Sequence, residues 1–155
     1  MTSATSGFIA DFILQARQQP RQLFASFNGE RITFGLLNAM SDAISAALIS
    51  HGAKPGNRIA VMMRNSAHHL ASLFAIGKAT LVWVPINAQQ RGEGLRYVLE
   101  DCDATVVIAD DSLFETILQC GATIDRKALI LAGNPSDPQS LEAICATAAR
   151  PVDLA

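Results

Sequence analysis

Two glycine-containing stretches of this chain invite a test for phosphate binding, because a glycine turn at a helix N-terminus gathers backbone N–H groups toward an anion. Gly77-Lys78-Ala79-Thr80 is like the end of a Walker loop. Ser72, however, stands where that loop needs its earlier glycine, and the stretch closes a helical pattern instead of opening one. Gly92-Glu93-Gly94 does open a helical pattern after a strand, yet Tyr97 holds the position where the dinucleotide fingerprint wants its third glycine. Neither stretch is read as a nucleotide site.

Metal and nucleophile chemistry fare no better. His68 and His69 are neighbours on a helix and point about 100° apart, so one ion cannot take both. His51 stands beside a helix C-terminus, where a partly positive imidazole is favourable in its own right. All three are read as surface residues. Cys102, Cys120 and Cys145 contain no Cys-x-x-Cys pair and are odd in number, which argues against a disulfide framework or a zinc site. They fall on apolar faces or ends of helical patterns, where a thiol behaves as a small hydrophobe. No Ser, His and Asp set and no carboxylate pair occurs at a recognisable spacing. The sequence therefore supplies no catalytic, cofactor-binding or metal-binding residue. What remains is a group at expected strand ends, Asn65, Asn87, Asp110 and Asp111, where open parallel sheets place their ligand crevices. Helix capping competes for Asn65 and Asp111.

The elements that would position these residues follow from hydrophobic period. Residues 7–19 carry Ile9, Phe12, Ile13 and Ala16 at helical spacing, with Ser6 as cap and Pro20 as stop. Residues 23–28 and 31–34 form a hairpin around Asn28-Gly29. Thr33 then caps a helix with Leu37, Met40, Ile44, Ala47 and Leu48 inward, ended by Gly52. Strands over 58–63, 81–85, 105–109 and 128–132 alternate with helices over 66–79 and 94–102, one capped by a Ser112/Glu115 box, and a last one opened by Asp137-Pro138. In these helices Leu70, Leu73, Phe74 and Gly77, then Leu95, Val98, Leu99 and Cys102, then Phe114, Ile117, Leu118 and Gly121, then Leu141, Ile144, Cys145 and Ala148 face inward. Short apolar strands alternating with helices predict an α/β fold: a parallel sheet flanked by helices on both faces, with a short β-hairpin near the N-terminus.

Composition narrows the function classes. Half the 155 residues are apolar and 17% are charged, so the chain is no disordered segment. Its 12 basic and 14 acidic residues give a net charge of −2 and are scattered, which excludes a nucleic-acid binder working through a basic surface. Mean hydropathy is +0.25, but no apolar run reaches the roughly 18 residues of a transmembrane segment. The small, polar first seven residues do not read as a secretion signal, and the cytoplasm is the expected compartment. One domain spanning 1–155 is expected, with the tail after Arg150 stopping without a closing element.

Residues 31–110 carry a resemblance. Arg31-Ile32-Thr33-Phe34 followed by Leu37, then Gly52-Ala53-Lys54-Pro55-Gly56-Asn57-Arg58-Ile59-Ala60-Val61, occur in this order. Ala75, Lys78 and Val82-Trp83-Val84-Pro85-Ile86-Asn87 follow, and then Leu95, Tyr97, Val98, Leu99, Asp101, Ala104 and Val106-Val107-Ile108. Together they resemble the N-terminal part of the AMP-forming acyl-CoA synthetases, in the adenylate-forming superfamily. Asn57 replaces that family's aspartate, and Thr80-Leu81 a glycine-alanine pair.

The resemblance implies a parent acid–thiol ligase in which a carboxylate, ATP, Mg²⁺ and CoA give acyl-CoA, AMP and pyrophosphate. It implies no catalytic residue here, because the phosphate loop, the ribose-binding aspartate and the C-terminal lysine domain of such enzymes match nothing in this chain. The implied role is an N-terminal subdomain, inactive alone and binding no cofactor itself, whose partner is the remainder of the parent chain and whose bared apolar surface favours self-association. Two alternatives stay open: a stand-alone module with a small-ligand or acyl-binding crevice at Asn65, Asn87 and Asp110, and a non-catalytic homologue acting through protein contacts.

Overall fold

A computed structural model describes residues 7–148. Helix α1 (Phe8–Gln18) leads into the antiparallel pair β1 (Leu23–Phe27) and β2 (Glu30–Thr33). Asn28 and Gly29 both take positive φ, +51° and +84°, which is what a two-residue turn between twisted strands requires. Ser6, the expected cap of α1, lies outside the described residues, and Gly7 occupies the cap position.

Helix α2 (Phe34–Ser50) begins as expected, the Thr33 hydroxyl accepting from the Leu36 N–H at 3.2 Å. It ends with the Gly52 N–H bonded to the Ile49 carbonyl and the Ala53 N–H to the Leu48 carbonyl, a pattern that needs the +92° φ of Gly52.

Four parallel strands follow, β3 (Arg58–Met62), β4 (Val82–Pro85), β5 (Val106–Asp110) and β6 (Leu129–Ala132), in the order β4-β3-β5-β6. Between them run α3 (Ala67–Lys78), α4 (Gly92–Asp101) and α5 (Phe114–Gln119), and α6 (Leu141–Ala148) comes last. Alternation along each strand divides the core. Ile59, Val61, Val106, Ile108, Ile130 and Ala132 face α2, α3 and α6, while Ala60, Met62, Val107 and Ala109 face α4 and α5. The α/β fold with helices on both faces and an N-terminal hairpin is thus the one expected. Fully buried aliphatic side chains such as Ile44, Ile59, Leu95 and Ile108 each contribute about 2 kcal/mol by leaving water.

Several local expectations are corrected. No capping box forms at Ser112 and Glu115: residues 111–113 make a 3-10 turn, α5 starts only at Phe114, and the Ser112 hydroxyl accepts from Arg64 Nη1 at 2.9 Å. The last helix does not open at Pro138. Asn134 and Asp137 side chains hold two turns, and α6 starts at Leu141 behind Ser140, whose hydroxyl accepts from the Ala143 N–H. Leu118 is 54% exposed, and Leu70 and Leu73 are only half-buried. In α3 the buried positions are Ala67, Ala71, Ser72, Phe74, Ala75 and Ile76, and the four small ones among them let α2 pack closely. The side chain of Ala148 lies outside the described residues.

Candidate functional site

The C-terminal ends of β3 and β4 open into a shallow hollow of about 570 Å³ lined by Met63, Arg64, Asn65, His69 and residues 85–89. Asn65 and Asn87 therefore line one hollow, as a strand-end crevice requires. Asn87 is partly spent on its own loop, its Oδ1 accepting from the Gln89 N–H at 2.9 Å. Asp110 does not join the lining. Its Oδ2 accepts from the Arg64 N–H at 2.8 Å and ties the exit of β3 to the end of β5. Asp111 opens the 3-10 turn after β5.

A second hollow, of about 170 Å³, adjoins the first through Asn65 and His69. Its other walls are Phe27 from the hairpin, Leu70 and Leu73 from α3, Ser66, and Trp83 from β4. The Ser66 hydroxyl caps α3 by accepting from the His69 N–H at 3.1 Å, so the cap and the groove share one loop. Sequence reading passed over Arg64 and His69 as site residues. The signal for Arg64 was only its place just after an apolar strand, and for His69 only a helix start. His68 and His69 are half-buried rather than fully on the surface. His51 is exposed, with Nδ1 at 2.8 Å from the Ala47 carbonyl at the end of α2.

Neither glycine stretch fits a nucleotide phosphate. Gly77 and Lys78 lie in the last turn of α3, the wrong helix end for an anion. Lys78 Nζ is already held by Asp42 Oδ1 and Asn38 Oδ1, both at 2.7 Å, and by the Asn38 carbonyl at 3.1 Å. Gly92 opens α4, but Glu93 places an acidic residue in the first turn. Among the described residues no three His, Cys, Asp or Glu side chains gather around a common point. Cys120 and Cys145 are buried and Cys102 is half-buried. Burial, with a smaller effect of Glu142, pushes the Cys145 thiol up to about 12.

The family model of the AMP-binding enzymes matches residues 12–152, nearly the whole chain. The chain belongs to the AMP-binding enzyme family. Among curated relatives within this group, a medium/long-chain-fatty-acid–CoA ligase (FadD6) of Mycobacterium tuberculosis is 32% identical over 107 residues, 69% of this chain and 18% of that protein. A mycosubtilin synthase of Bacillus subtilis is 30% identical over 113 residues, 73% of this chain and 4% of that one. A benzoate CoA ligase structure from Burkholderia xenovorans superimposes with a TM-score of 0.78 at 20% identity, over 91% of this chain and 28% of that chain. A long-chain-fatty-acid CoA ligase structure from Rhodopseudomonas palustris gives 0.78 at 18% identity, over 88% and 35%. The chain thus spans less than a fifth of the two curated relatives named and about a third of the two CoA ligase structures named. No helix among the described residues is long and apolar enough to cross a membrane.

Proposed function

We propose that this chain is the N-terminal subdomain of an ATP-dependent, AMP-forming acyl-CoA synthetase. In the parent enzyme a carboxylate attacks the α-phosphorus of ATP to give acyl-AMP and pyrophosphate, and the CoA thiol then displaces AMP. ATP, Mg²⁺ and CoA serve that parent, a cytoplasmic ligase of fatty-acid metabolism that takes a small-molecule carboxylic acid as substrate. The chain contributes scaffold and one wall of the acyl pocket. The observation that carries this reading is the family match over residues 12–152, joined to a fold shared with CoA ligases.

Charge developing on the phosphates in the first step needs a cluster of donors and a cation. Lys78, a buried ammonium beside a glycine, is neutralised by Asp42 and offers no such donor, which supports the reading that the chain by itself is inactive and binds no cofactor. The test is ATP–pyrophosphate exchange with a panel of carboxylic acids, run on the 155-residue chain and on the intact gene product. Exchange by the intact product alone is the expected result. Exchange by the 155-residue chain would refute the proposal.

A second reading, a stand-alone non-catalytic α/β binding or interaction module, rests on the paired hollows at the ends of β3 and β4. It predicts no exchange from either sample.

A further inference from the structure

A hollow of about 350 Å³ lies among the last turn of α2, the 3-10 turn Arg126–Ala128, the loop before α6 and α6 itself. His51 closes α2 ahead of β3, and Lys127 stands just ahead of β6, on the side where these parallel strands begin. The crevice at Asn65 and Asn87 lies instead where β3 and β4 end, and it shares no lining residue with this hollow.

Lys127 brings charge to this hollow. Its neighbour Arg126 serves another contact, with its guanidinium 4.8 Å from the centre of the Phe114 ring, while Lys127 lines the hollow. Among the described residues no carboxylate is ion-paired with Lys127. The acids beside the lining residues in sequence, Asp125 and Asp137, accept from the Lys127 and Gln139 backbone N–H groups, both at 2.9 Å, and neither lines the hollow. The Ser50 hydroxyl donates to the Ala47 carbonyl at 2.8 Å, and His51 Nδ1 lies 2.8 Å from the same oxygen. A carbonyl only accepts, so the His51 proton sits on Nδ1 and Nε2 is the ring nitrogen left over. The Gln139 carboxamide adds a polar group to the lining, and Ala47, Pro138 and Ile144 supply apolar wall.

We infer that this hollow binds a small organic monocarboxylate. The carboxylate meets the Lys127 ammonium and the Gln139 carboxamide, and a short apolar body lies on Ala47, Pro138 and Ile144. An ionised donor holds an anion more strongly than a neutral one does. The volume is at the small end of the roughly 300–1,000 Å³ that ligand cavities span. Two features set the ligand class. An inorganic phosphate has no apolar part to place on the wall. A dianion would also bring a second negative charge to the last carbonyls of α2, the negative end of that helix's dipole, with one lysine to balance it. The site is built wholly from residues of this chain, and it stands apart from the larger-ligase reading.

Lysine footprinting on the intact gene product tests this. The rate of Lys127 acetylation by an N-hydroxysuccinimide ester is read by peptide mass mapping with and without hexanoate, in the absence of ATP. Lys54, exposed and outside the hollow, is the reference. The expected result is a slowing at Lys127 of about fivefold or more at saturating hexanoate, as mass action gives when a ligand covers the ammonium. Lys54 keeps its rate, and inorganic phosphate at the same concentration has no effect. Gln139→Glu, an exposed substitution that sets a like charge against the ligand, abolishes the slowing. An unchanged rate at Lys127, or equal slowing at Lys54, overturns the site. Slowing that phosphate reproduces overturns the monocarboxylate class in favour of a plain anion patch. Slowing that persists in Gln139→Glu puts the bound acid elsewhere and overturns the assignment.

Discussion

The Lys78 ammonium lies 2.7 Å from the Asp42 carboxylate, with the Lys78 side chain 8% exposed and that of Asp42 63% exposed. Lys78 also bonds Asn38 twice and lies 5.5 Å from the Phe12 ring centroid, so one side chain joins α1, α2 and α3. The two ends of this ion pair are therefore unequal. Asp42→Asn, at an exposed site screened by water, is expected to cost about 0.5 kcal/mol or less. Lys78→Ala removes three hydrogen bonds and a packed stem, for a loss of about 2 kcal/mol. Urea unfolding of both variants checks the ratio.

Thr80 ends α3 in the way Gly52 ends α2. The Thr80 N–H bonds the Gly77 carbonyl and the Leu81 N–H bonds the Ile76 carbonyl, but φ at Thr80 is +55° on a β-branched residue. This strain sits two residues before β4. Thr80→Gly is expected to stabilise the fold by about 1 kcal/mol, and Thr80→Val to give none of that gain. Thermal unfolding of the two variants makes the comparison.

Gly77 permits α1 to lie against α3. A Cβ there would come 2.5 Å from Ile9 Cδ1 and 2.8 Å from its Cγ1. Gly77→Ala is expected to destabilise by about 1–2 kcal/mol, and Ile9→Ala in the same chain to recover much of the loss. A double-mutant cycle in which the two losses simply add would refute this contact.

How far the sequence alone reaches is clear from these positions. Thr33, Asn28-Gly29 and Gly52 each obey a local rule, a cap or a positive φ, and each was legible with no knowledge of neighbours. The alternation of short apolar strands and helices gave the layer order by the same logic. What escaped depends on tertiary partners. Ser112 looks like a cap, yet Arg64, 48 residues away, takes its hydroxyl. Leu70 and Leu73 share a helical stripe with Phe74 but border a groove, because the strand beneath them is an edge. At the candidate site, Asn65 and Asn87 were found from the end-of-strand rule, while Asp110 is diverted to the Arg64 backbone. Periodicity carries no information about which strand is an edge, and that single fact decides both the groove and the exposure of Trp83.

Cys145, 5% exposed, keeps its proton well above the ordinary thiol range, its pKa rising from 9.0 to about 12. The folded form thus holds a proton that the unfolded form releases above pH 9. Its contribution is fully present below pH 9 and is lost as pH rises from 9 toward about 12. Alkylation at pH 8 under native conditions is expected to label the half-exposed Cys102 and spare Cys145, as peptide mapping would show. Equal labelling of the two would contradict the burial of Cys145 between α6 and the sheet.

The most direct test of the central claim, that this chain is one subdomain of a larger adenylate-forming ligase, is the intact mass of the native gene product in its source cells. The expected mass is several-fold above 16.5 kDa, in keeping with relatives of which the chain covers 18% and 28%. A native product of 16.5 kDa would contradict it and leave the stand-alone module as the reading of the fold.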